Sequence, residues 1–513
     1  MKNENLCGDP VANVVKELFD IDYLFPYQRL VVGNILEAAE AAGIPFRQDG
    51  GAAEDPSSQS DRASTGRQIV ILPTGAGKSL CFQLPAMMFE GATLVVYPTL
   101  ALMADQERRL AERGIKPALL RGGQSAEERR ATEERLEAGE SRFILATPEA
   151  LLSERRLEAL ATLGIVHVVV DEAHCVSEWG ESFRPSYLEV RRIVEATGAP
   201  LVTAFTATAS SLVLEKIERY VFGNDGAHKI IGNPDRSNIS YATRGCIVRD
   251  IAVRDLLLAN EAPAIVFCSS RPGVEKLARY LRNALGTNEI RFYHAGLERE
   301  ERTEVEKWFF SSENGILVST CAYGMGVDKP NIRTAIHRDC PPSVESYLQE
   351  SGRAGRDGAF SRAFLLWGAG DEEALQRART ESDRRRQSRL LAFARDAVHC
   401  RREALLSLLN YEGDHSAPES ECCDVCSSRS SPDLREQDPV LNFFRKNRRA
   451  YKLDEASGAL AEAIGRAQKQ DWTSRDARNA INYLLKIGKL KELKRFPWKD
   501  RLDVFLQCPT VSL

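Results

Sequence analysis

Short, uninterrupted apolar runs punctuate the first two thirds of the chain. Between residues 68 and 205 they are QIVIL, TLVVY, FILAT, IVHVVV and LVTAF, each brief and rich in β-branched or aromatic side chains. A strand that is apolar on both faces is one buried on both faces, as parallel strands covered by helices are. Amphipathic stretches such as Ala101–Arg113 and Ala126–Ala138 lie between the runs and supply the covering helices. The rhythm restarts with AIVFC (264–268), IRFYH (290–294) and ILVST (316–320). Two successive α/β units follow, each with a mostly parallel sheet.

Polar seams divide the rest. Arg47–Arg67 (RQDGGAAEDPSSQSDRASTGR) is too polar to bury much and reads as a disordered insertion. SSRSSPDLREQDP (427–439) reads as a linker, preceded by a helix-rich stretch over 371–426. Beyond it, WTSRDARNAINYLLKIGKL (472–490) predicts a helix N-capped by Thr473 or Ser474. KELKRFPWKDRLDVF (491–505) then alternates like two strands around a turn containing proline. Helices that end in a β-hairpin predict a winged helix. The expected divisions are 1–230 and 231–370 for the α/β units, 371–430 for a helical module and 431–513 for the winged helix.

A chain of 513 residues exceeds a single core, which stops growing near roughly 250–300 residues, so several domains are expected in any case. With 43% apolar and 28% charged residues it has the composition of a soluble globular protein. It contains no apolar run long enough for a membrane span, and its first residues hold no apolar stretch of the kind a secretory leader needs. The net charge of −4 hides an asymmetry. Asp433–Leu513 holds 17 Lys and Arg against 11 Asp and Glu, or +6, which leaves −10 for the rest. An arginine cluster between Arg377 and Arg402, including Arg384, Arg385 and Arg386, adds to the basic side, although such a run is usually a solvated helix face. Most of the twelve cysteines stand alone, as suits the reducing cytoplasm.

Two motifs carry chemistry. Thr74-Gly75-Ala76-Gly77-Lys78-Ser79 follows a strand and opens a helix. Its glycines let backbone N–H groups approach phosphates, Lys78 reaches the β- and γ-phosphates, and the Ser79 hydroxyl takes a magnesium position. Leu72 occupies the place where the full phosphate-loop pattern has its first glycine. About 90 residues later, Asp171-Glu172-Ala173-His174 ends an apolar run. Asp171 is assigned to Mg²⁺ and Glu172 to the attacking water.

In order along the chain stand LPTGAGKSLCFQLPA (72–86), VVYPTLALMADQ (95–106), VVVDEAHCVSEWGESFRPSY (168–187), FTATAS (205–210), FYHAGL (292–297), ILVSTCAYGMGVDKPNIRTAIH (316–337) and SYLQESGRAGRDG (346–358). Over roughly residues 18–426 the chain resembles the RecQ family of superfamily 2 DNA helicases. The resemblance implies two tandem RecA-like motor domains that use ATP and Mg²⁺, translocate 3′ to 5′ on single-stranded DNA, and unwind forked DNA in repair or recombination. It implies that Arg356 is an arginine finger, with Arg353 and Gln349 supporting the same site, and that closing and reopening of the two domains is the motor. Trp179, Phe183 and Arg184 fall in the family's aromatic-rich loop, where they stack on unpaired bases; simple burial of Trp179 is the plainer alternative. Glu181 stands where the family has histidine, which weakens the expected coupling of hydrolysis to DNA. Gln28 matches the adenine reader. Phe25 replaces an arginine and Ile21 a stacking tyrosine, leaving Tyr23 or Phe25 to stack and nucleotide preference looser than usual.

The resemblance also implies a Zn²⁺ module. Cys400, Cys423 and Cys426 match its pattern; Ser420 stands near the place of the remaining cysteine, so Cys422 or His415 is the fourth ligand. A free cysteine pair is the bland alternative. In the winged helix, Arg475 and Arg478, with Lys486, Lys489 and Lys491, are expected on phosphates. Phe496 and Trp498 either wedge against the terminal base pair or pack the wing onto its own helix. No further C-terminal nucleic-acid module is expected. Two other readings fit the same motifs: an RNA helicase, and a DNA-binding ATP switch or scaffold that does not unwind.

Overall fold

The computed structural model describes residues 10–21, 23–47, 66–73, 75–178, 185–207, 210–223, 225–321, 323, 329–378, 380–409, 411, 419–430, 437–468 and 472–504. Most of the polar insertion lies outside this set. Contacts divide the chain into two compact units, Met1–Asp235 with Leu406–Gly413, and Arg236–Leu405 with Asp414–Leu513. Among the described residues, no helix is long and apolar enough to cross a membrane.

The first unit is built on Arg67–Ile71 (β1), Ala92–Val96 (β2), Ala118–Leu120 (β3), Phe143–Ala146 (β4), Ile165–Val170 (β5), Leu201–Thr206 (β6) and His228–Ile231 (β7). Their order is β3-β4-β2-β5-β6-β1-β7, and every pairing is parallel. Successive side chains leave a strand on opposite faces. Val70, Val95, Leu145, Val169 and Phe205 share a core with the helices Pro26–Ala41, Lys78–Met88 and Leu100–Ala111. Their neighbours Ile69, Ile71, Val170, Val202 and Ala204 pack with Val190–Thr197 and Ser211–Ile217 on the other side. Two covered faces explain why these strands read as continuous apolar runs.

The second unit carries Ile239–Gly245 (β8), Ala264–Phe267 (β9), Ile290–Tyr293 (β10), Ile316–Ser319 (β11), Thr334–His337 (β12) and Ser361–Trp367 (β13). These are also all parallel, in the order β10-β11-β9-β12-β13-β8. Val266, Val318 and Ile336 pack against Val274, Leu277 and Leu281 of the helix Arg271–Leu285. After this sheet come the helices Ala369–Gln376, Glu381–Arg395 and Arg401–Leu408, and then a cysteine-bearing turn. That turn is fastened to β8: the Asp424 N–H donates to the Tyr241 carbonyl at 3.0 Å, and Asp424 Oδ2 accepts the Thr243 N–H at 3.1 Å.

Three helices, Gln437–Lys446, Leu453–Gln468 and Ser474–Lys486, and an antiparallel hairpin of Leu490–Glu492 (β14) and Leu502–Val504 (β15) end the described chain. Val440, Phe444, Leu460, Ile481, Leu484 and Leu502 form their core, joined by Val248 and Ile251 from the sheet-bearing part of the same unit. This is a winged-helix arrangement. Thr473 caps its third helix: Thr473 Oγ1 accepts the Asp476 N–H at 3.2 Å, and Asp476 Oδ2 accepts the Thr473 N–H at 3.0 Å.

Candidate functional site

The phosphate loop leaves the carboxyl end of β1, where Leu72 donates its N–H to the Thr206 carbonyl at 3.0 Å. Gly75 (φ 84°) and Gly77 (φ 73°) hold the left-handed conformations that glycine adopts without strain. Gly77 is the N-cap of Lys78–Met88, so the unpaired N–H groups of that helix open onto the loop. Ser79 is half-buried in the first turn. Thr74 lies outside the described residues.

Asp171 and Glu172 follow β5 at the same edge. The Asp171 N–H donates to the Val96 carbonyl at 3.1 Å and the Ala173 N–H to the Phe205 carbonyl at 2.8 Å, which seats the motif between β2 and β6. Glu172 takes a left-handed backbone (φ 48°) that is uncommon outside glycine, and its N–H donates to Asp171 Oδ1 at 2.9 Å. Lys78 Nζ lies 3.7 Å from Glu172 Oε1. His174 Nδ1 lies 3.4 Å from Glu172 Oε2 and 3.1 Å from Thr206 Oγ1, a link from this motif to the end of β6 that the sequence reading missed. Burial, reinforced by the Glu172 carboxylate and opposed by Lys78, pushes the Asp171 carboxyl up to about 7. A buried carboxyl short of countercharge fits a divalent cation, which would supply that charge.

Gln28 belongs to the same neighbourhood. Its Nε2 donates to the Ala76 carbonyl at 2.9 Å, and its Oε1 accepts the Phe25 N–H at 3.0 Å. Tyr23 and Phe25 are 65% and 53% exposed, while Ile21 packs against the core.

In the second unit, Gln349 is half-buried on the helix Val344–Ser351; Arg353 is buried and Arg356 half-buried on the turn that follows. The turn is fixed by Gly355 (φ 57°), whose carbonyl accepts Arg236 Nη2 at 2.7 Å and Asn238 Nδ2 at 2.8 Å. Trp179, Glu181, Phe183 and Arg184 lie outside the described residues.

Cys400, Cys422, Cys423 and Cys426 have all four Sγ atoms within 4.8 Å of one another. Cys400–Cys422 is 3.5 Å, Cys400–Cys423 3.9 Å and Cys423–Cys426 3.4 Å. A tetrahedral ion with metal–sulfur bonds of about 2.3 Å needs edges of about 3.8 Å, so the donor set fits zinc. The N–H groups of Arg401 and Cys426 both donate to Cys423 Sγ at 3.4 Å. Hydrogen bonds from Cys400 and Cys422 hold the Cys423 thiol well below its ordinary range. Cys422 is thus brought into the cluster, and His415 lies outside the described residues.

On the winged helix, Arg475 is exposed and Arg478 pairs with Asp454. Phe496 is 92% exposed at the hairpin tip, whereas Trp498, 42% exposed, lies under the Arg449 guanidinium at 5.8 Å. The two aromatic residues therefore differ: Phe496 projects, whereas Trp498 is partly covered by Arg449. Asn482 and Lys486 of the third helix line a cavity of about 690 Å³ with Arg249, Ser269, Arg338 and Asp339.

Residues 59–217 match the DEAD/DEAH box helicase family, and residues 249–358 the helicase conserved C-terminal domain. The chain is 35% identical over 366 residues to the ATP-dependent DNA helicase RecQ of Pasteurella multocida, covering 70% of this chain and 57% of that protein. It is 33% identical over 402 residues to the ATP-dependent DNA helicase RecQ of Bacillus subtilis, covering 76% of this chain and 67% of that one. The solved structure of the DUF1998 helicase MrfA bound to DNA shares the fold (TM-score 0.54, 17% identity, 97% of this chain and 62% of that one). With two RecA-like parallel-sheet domains and these relatives, the chain belongs to the RecQ family of ATP-dependent DNA helicases.

Proposed function

We propose that the protein is an ATP-dependent DNA helicase that uses Mg²⁺-ATP to translocate 3′ to 5′ along single-stranded DNA and to unwind forked duplexes, in DNA repair or recombination. The observation that carries this reading is the meeting of Lys78, Asp171 and Glu172 at the carboxyl edge of the first sheet, beside a glycine-bracketed loop. Lys78 engages the β- and γ-phosphates, Ser79 and Asp171 hold Mg²⁺, and Glu172 polarises the water that attacks the γ-phosphate. Gln349, Arg353 and Arg356 act on the transferred phosphoryl group, with Arg356 as the arginine finger. Thr74, Gly75 and Gly77 complete the nucleotide cradle. Cys400, Cys422, Cys423 and Cys426 bind Zn²⁺, a structural staple for the helical module. Trp179, Phe183 and Arg184 contact single-stranded DNA, Arg475 and Arg478 the duplex phosphates, and Phe496 the fork.

The test is strand separation on matched duplexes that carry a 3′ or a 5′ single-stranded tail. The wild-type protein is expected to unwind the 3′-tailed substrate in the presence of Mg²⁺-ATP, and Lys78→Ala to unwind neither. DNA-stimulated hydrolysis without separation of either substrate would favour a switch or scaffold. Preference for the 5′ tail would reverse the polarity.

A further inference from the structure

Two side chains at the very start of the second unit grip the turn that carries Arg353 and Arg356. That unit begins at Arg236, where the chain arrives from the first unit. Arg236 Nη1 donates to the Gly352 carbonyl at 3.1 Å, and Nη2 to the carbonyls of Ala354 at 3.3 Å and Gly355 at 2.7 Å. Asn238 Nδ2 donates to the carbonyls of Gly355 at 2.8 Å and Ala359 at 2.9 Å. The Asn238 carbonyl in turn accepts the N–H of Ser361, the first residue of β13, at 2.9 Å. Five hydrogen bonds from two side chains thus converge on the backbone between Gly352 and Ala359, on both sides of the two arginines.

The residue types suit the task. Gly352 caps the helix Val344–Ser351, and the last carbonyls of a helix lack intrahelical partners and carry partial negative charge. A guanidinium offers a planar fork of donors that satisfies successive carbonyls and places a cation at that terminus. Gly355 closes the turn on its anchors: with φ 57°, a Cβ there would lie 2.5 Å from Asn238 Nδ2 and 2.6 Å from the Ala359 carbonyl oxygen. The anchors are themselves held. Arg402, 1% exposed, donates from Nη1 to the Arg236 carbonyl at 3.0 Å and from Nη2 to the Ile239 carbonyl. The turn also has supports of its own, an Arg333–Asp357 ion pair and the Gly355 N–H on the Ile332 carbonyl at 2.8 Å. Those supports leave the turn folded when Arg236 is removed, but with a looser path.

We propose that Arg236 and Asn238 are positioning residues for ATP hydrolysis, which fix the backbone around Arg353 and Arg356 so that the Arg356 guanidinium meets the γ-phosphate in the transition state. The proposal rests on the reading of Arg356 as an arginine finger and adds the residues that set its place. Misplacing a reacting group by about 1 Å can cost about 10²-fold in rate. An interaction made only in the transition state, when lost, lowers kcat and kcat/KM together.

The test is steady-state hydrolysis of Mg²⁺-ATP by the full chain with single-stranded DNA, for the wild type, Arg236→Ala, Arg236→Lys, Asn238→Ala, Arg356→Ala and the double variant Arg236→Ala with Arg356→Ala. Arg236→Ala is expected to lower kcat by about tenfold or more with KM within about threefold of the wild type. Asn238→Ala should lose less in the same direction, and Arg236→Lys, which keeps a cation at the helix terminus, should recover part of the loss. The double variant is expected to hydrolyse within about threefold of Arg356→Ala, because the placement of an absent finger no longer matters. A merely structural role would instead multiply the two losses. Hydrogen exchange over 352–359 should be about tenfold faster or more in Arg236→Ala, as the loss of hydrogen bonds to a charged donor implies. If Arg236→Ala melts early, Asn238→Ala and Arg236→Lys carry the comparison. Wild-type turnover in Arg236→Ala and Asn238→Ala while Arg356→Ala is slow overturns the proposal and leaves the arginine finger standing. Multiplied losses in the double variant, or unchanged exchange over the turn, also overturn it. Wild-type turnover in Arg356→Ala removes the arginine-finger reading, and the proposal with it.

Discussion

Replacing Asp424 with alanine tests how the cysteine-bearing turn is held to the second sheet. The Asp424 carboxylate accepts Arg401 Nε at 2.9 Å, Arg401 Nη2 at 3.4 Å and the Thr243 N–H of β8 at 3.1 Å. Arg401 is 1% exposed, and without Asp424 its guanidinium keeps, among the described residues, the Phe393 carbonyl, 2.7 Å from Nη1, and the Phe393 ring at 5.7 Å. Removing one partner of a buried ion pair costs about 3–5 kcal/mol, because the charge left behind is uncompensated. The orphaned Thr243 amide adds to that loss. At about 1.4 kcal/mol per factor of ten, local opening becomes at least about 10²-fold more frequent. Hydrogen exchange of peptides that cover Ile239–Gly245 and 419–430 reads this directly. The double variant Asp424→Asn with Arg401→Met removes both charges and keeps an acceptor for Thr243, so it is expected to recover most of the loss. Exchange in Asp424→Ala within threefold of the wild type, or a double variant no better than the single, would refute the reasoning.

Other consequences can be checked singly. Glu172→Gln is expected to keep nucleotide binding while hydrolysis falls by about 10²-fold or more, the usual contribution of a general base, in a single-turnover assay. Metal analysis should find one zinc per chain in the wild type and in His415→Ala, and loss of zinc in Cys422→Ser. Phe496→Ala is expected to change stability by less than about 0.5 kcal/mol, as exposed substitutions do, and to reduce strand separation without reducing DNA-stimulated hydrolysis. Asp503 accepts hydrogen bonds from Arg448 (2.8 Å) and Arg449 (3.0 Å), which hold its carboxyl at about 2, the Arg448 bond contributing most. Its folded pKa lies below the unfolded value of about 3.9, so the stabilisation is fully present above that value and is lost as pH falls through about 2. Melting of the wild type should therefore fall more steeply from pH 4 toward 2 than melting of Asp503→Asn, the two curves converging at the acid end.

Strands such as TLVVY at β2 and ILVST at β11 were legible because burial on both faces left an unbroken apolar run, whereas β12, TAIH, is buried throughout and was not among the expected strands. Strands without that signature were also missed. β7, HKII, has three of four residues exposed at the sheet edge. β8 alternates between buried and half-buried positions over seven residues and offers no run. β3 spans three residues and gives no period to detect. The grouping of Lys78, Asp171 and Glu172 as a candidate site was legible because each follows a strand end in a recognisable string. Its cross-links were not: Gln28 reaches Ala76, and His174 reaches Thr206, across separations that only the sheet order closes. The cysteine cluster shows the same limit. The resemblance left Cys422, with His415 as the alternative, for the fourth position, and the turn beside β8 brings the Cys422 thiol to 3.5 Å from Cys400.

Lys78, Asp171 and Glu172 are proposed to drive a motor on DNA. The most direct test is the rate of ATP hydrolysis by the full chain without nucleic acid, with single-stranded DNA and with single-stranded RNA. The account predicts strong stimulation by DNA and little by RNA, both lost in Lys78→Ala. Hydrolysis unaffected by either nucleic acid would contradict it, and equal stimulation by both would place RNA beside DNA as the track.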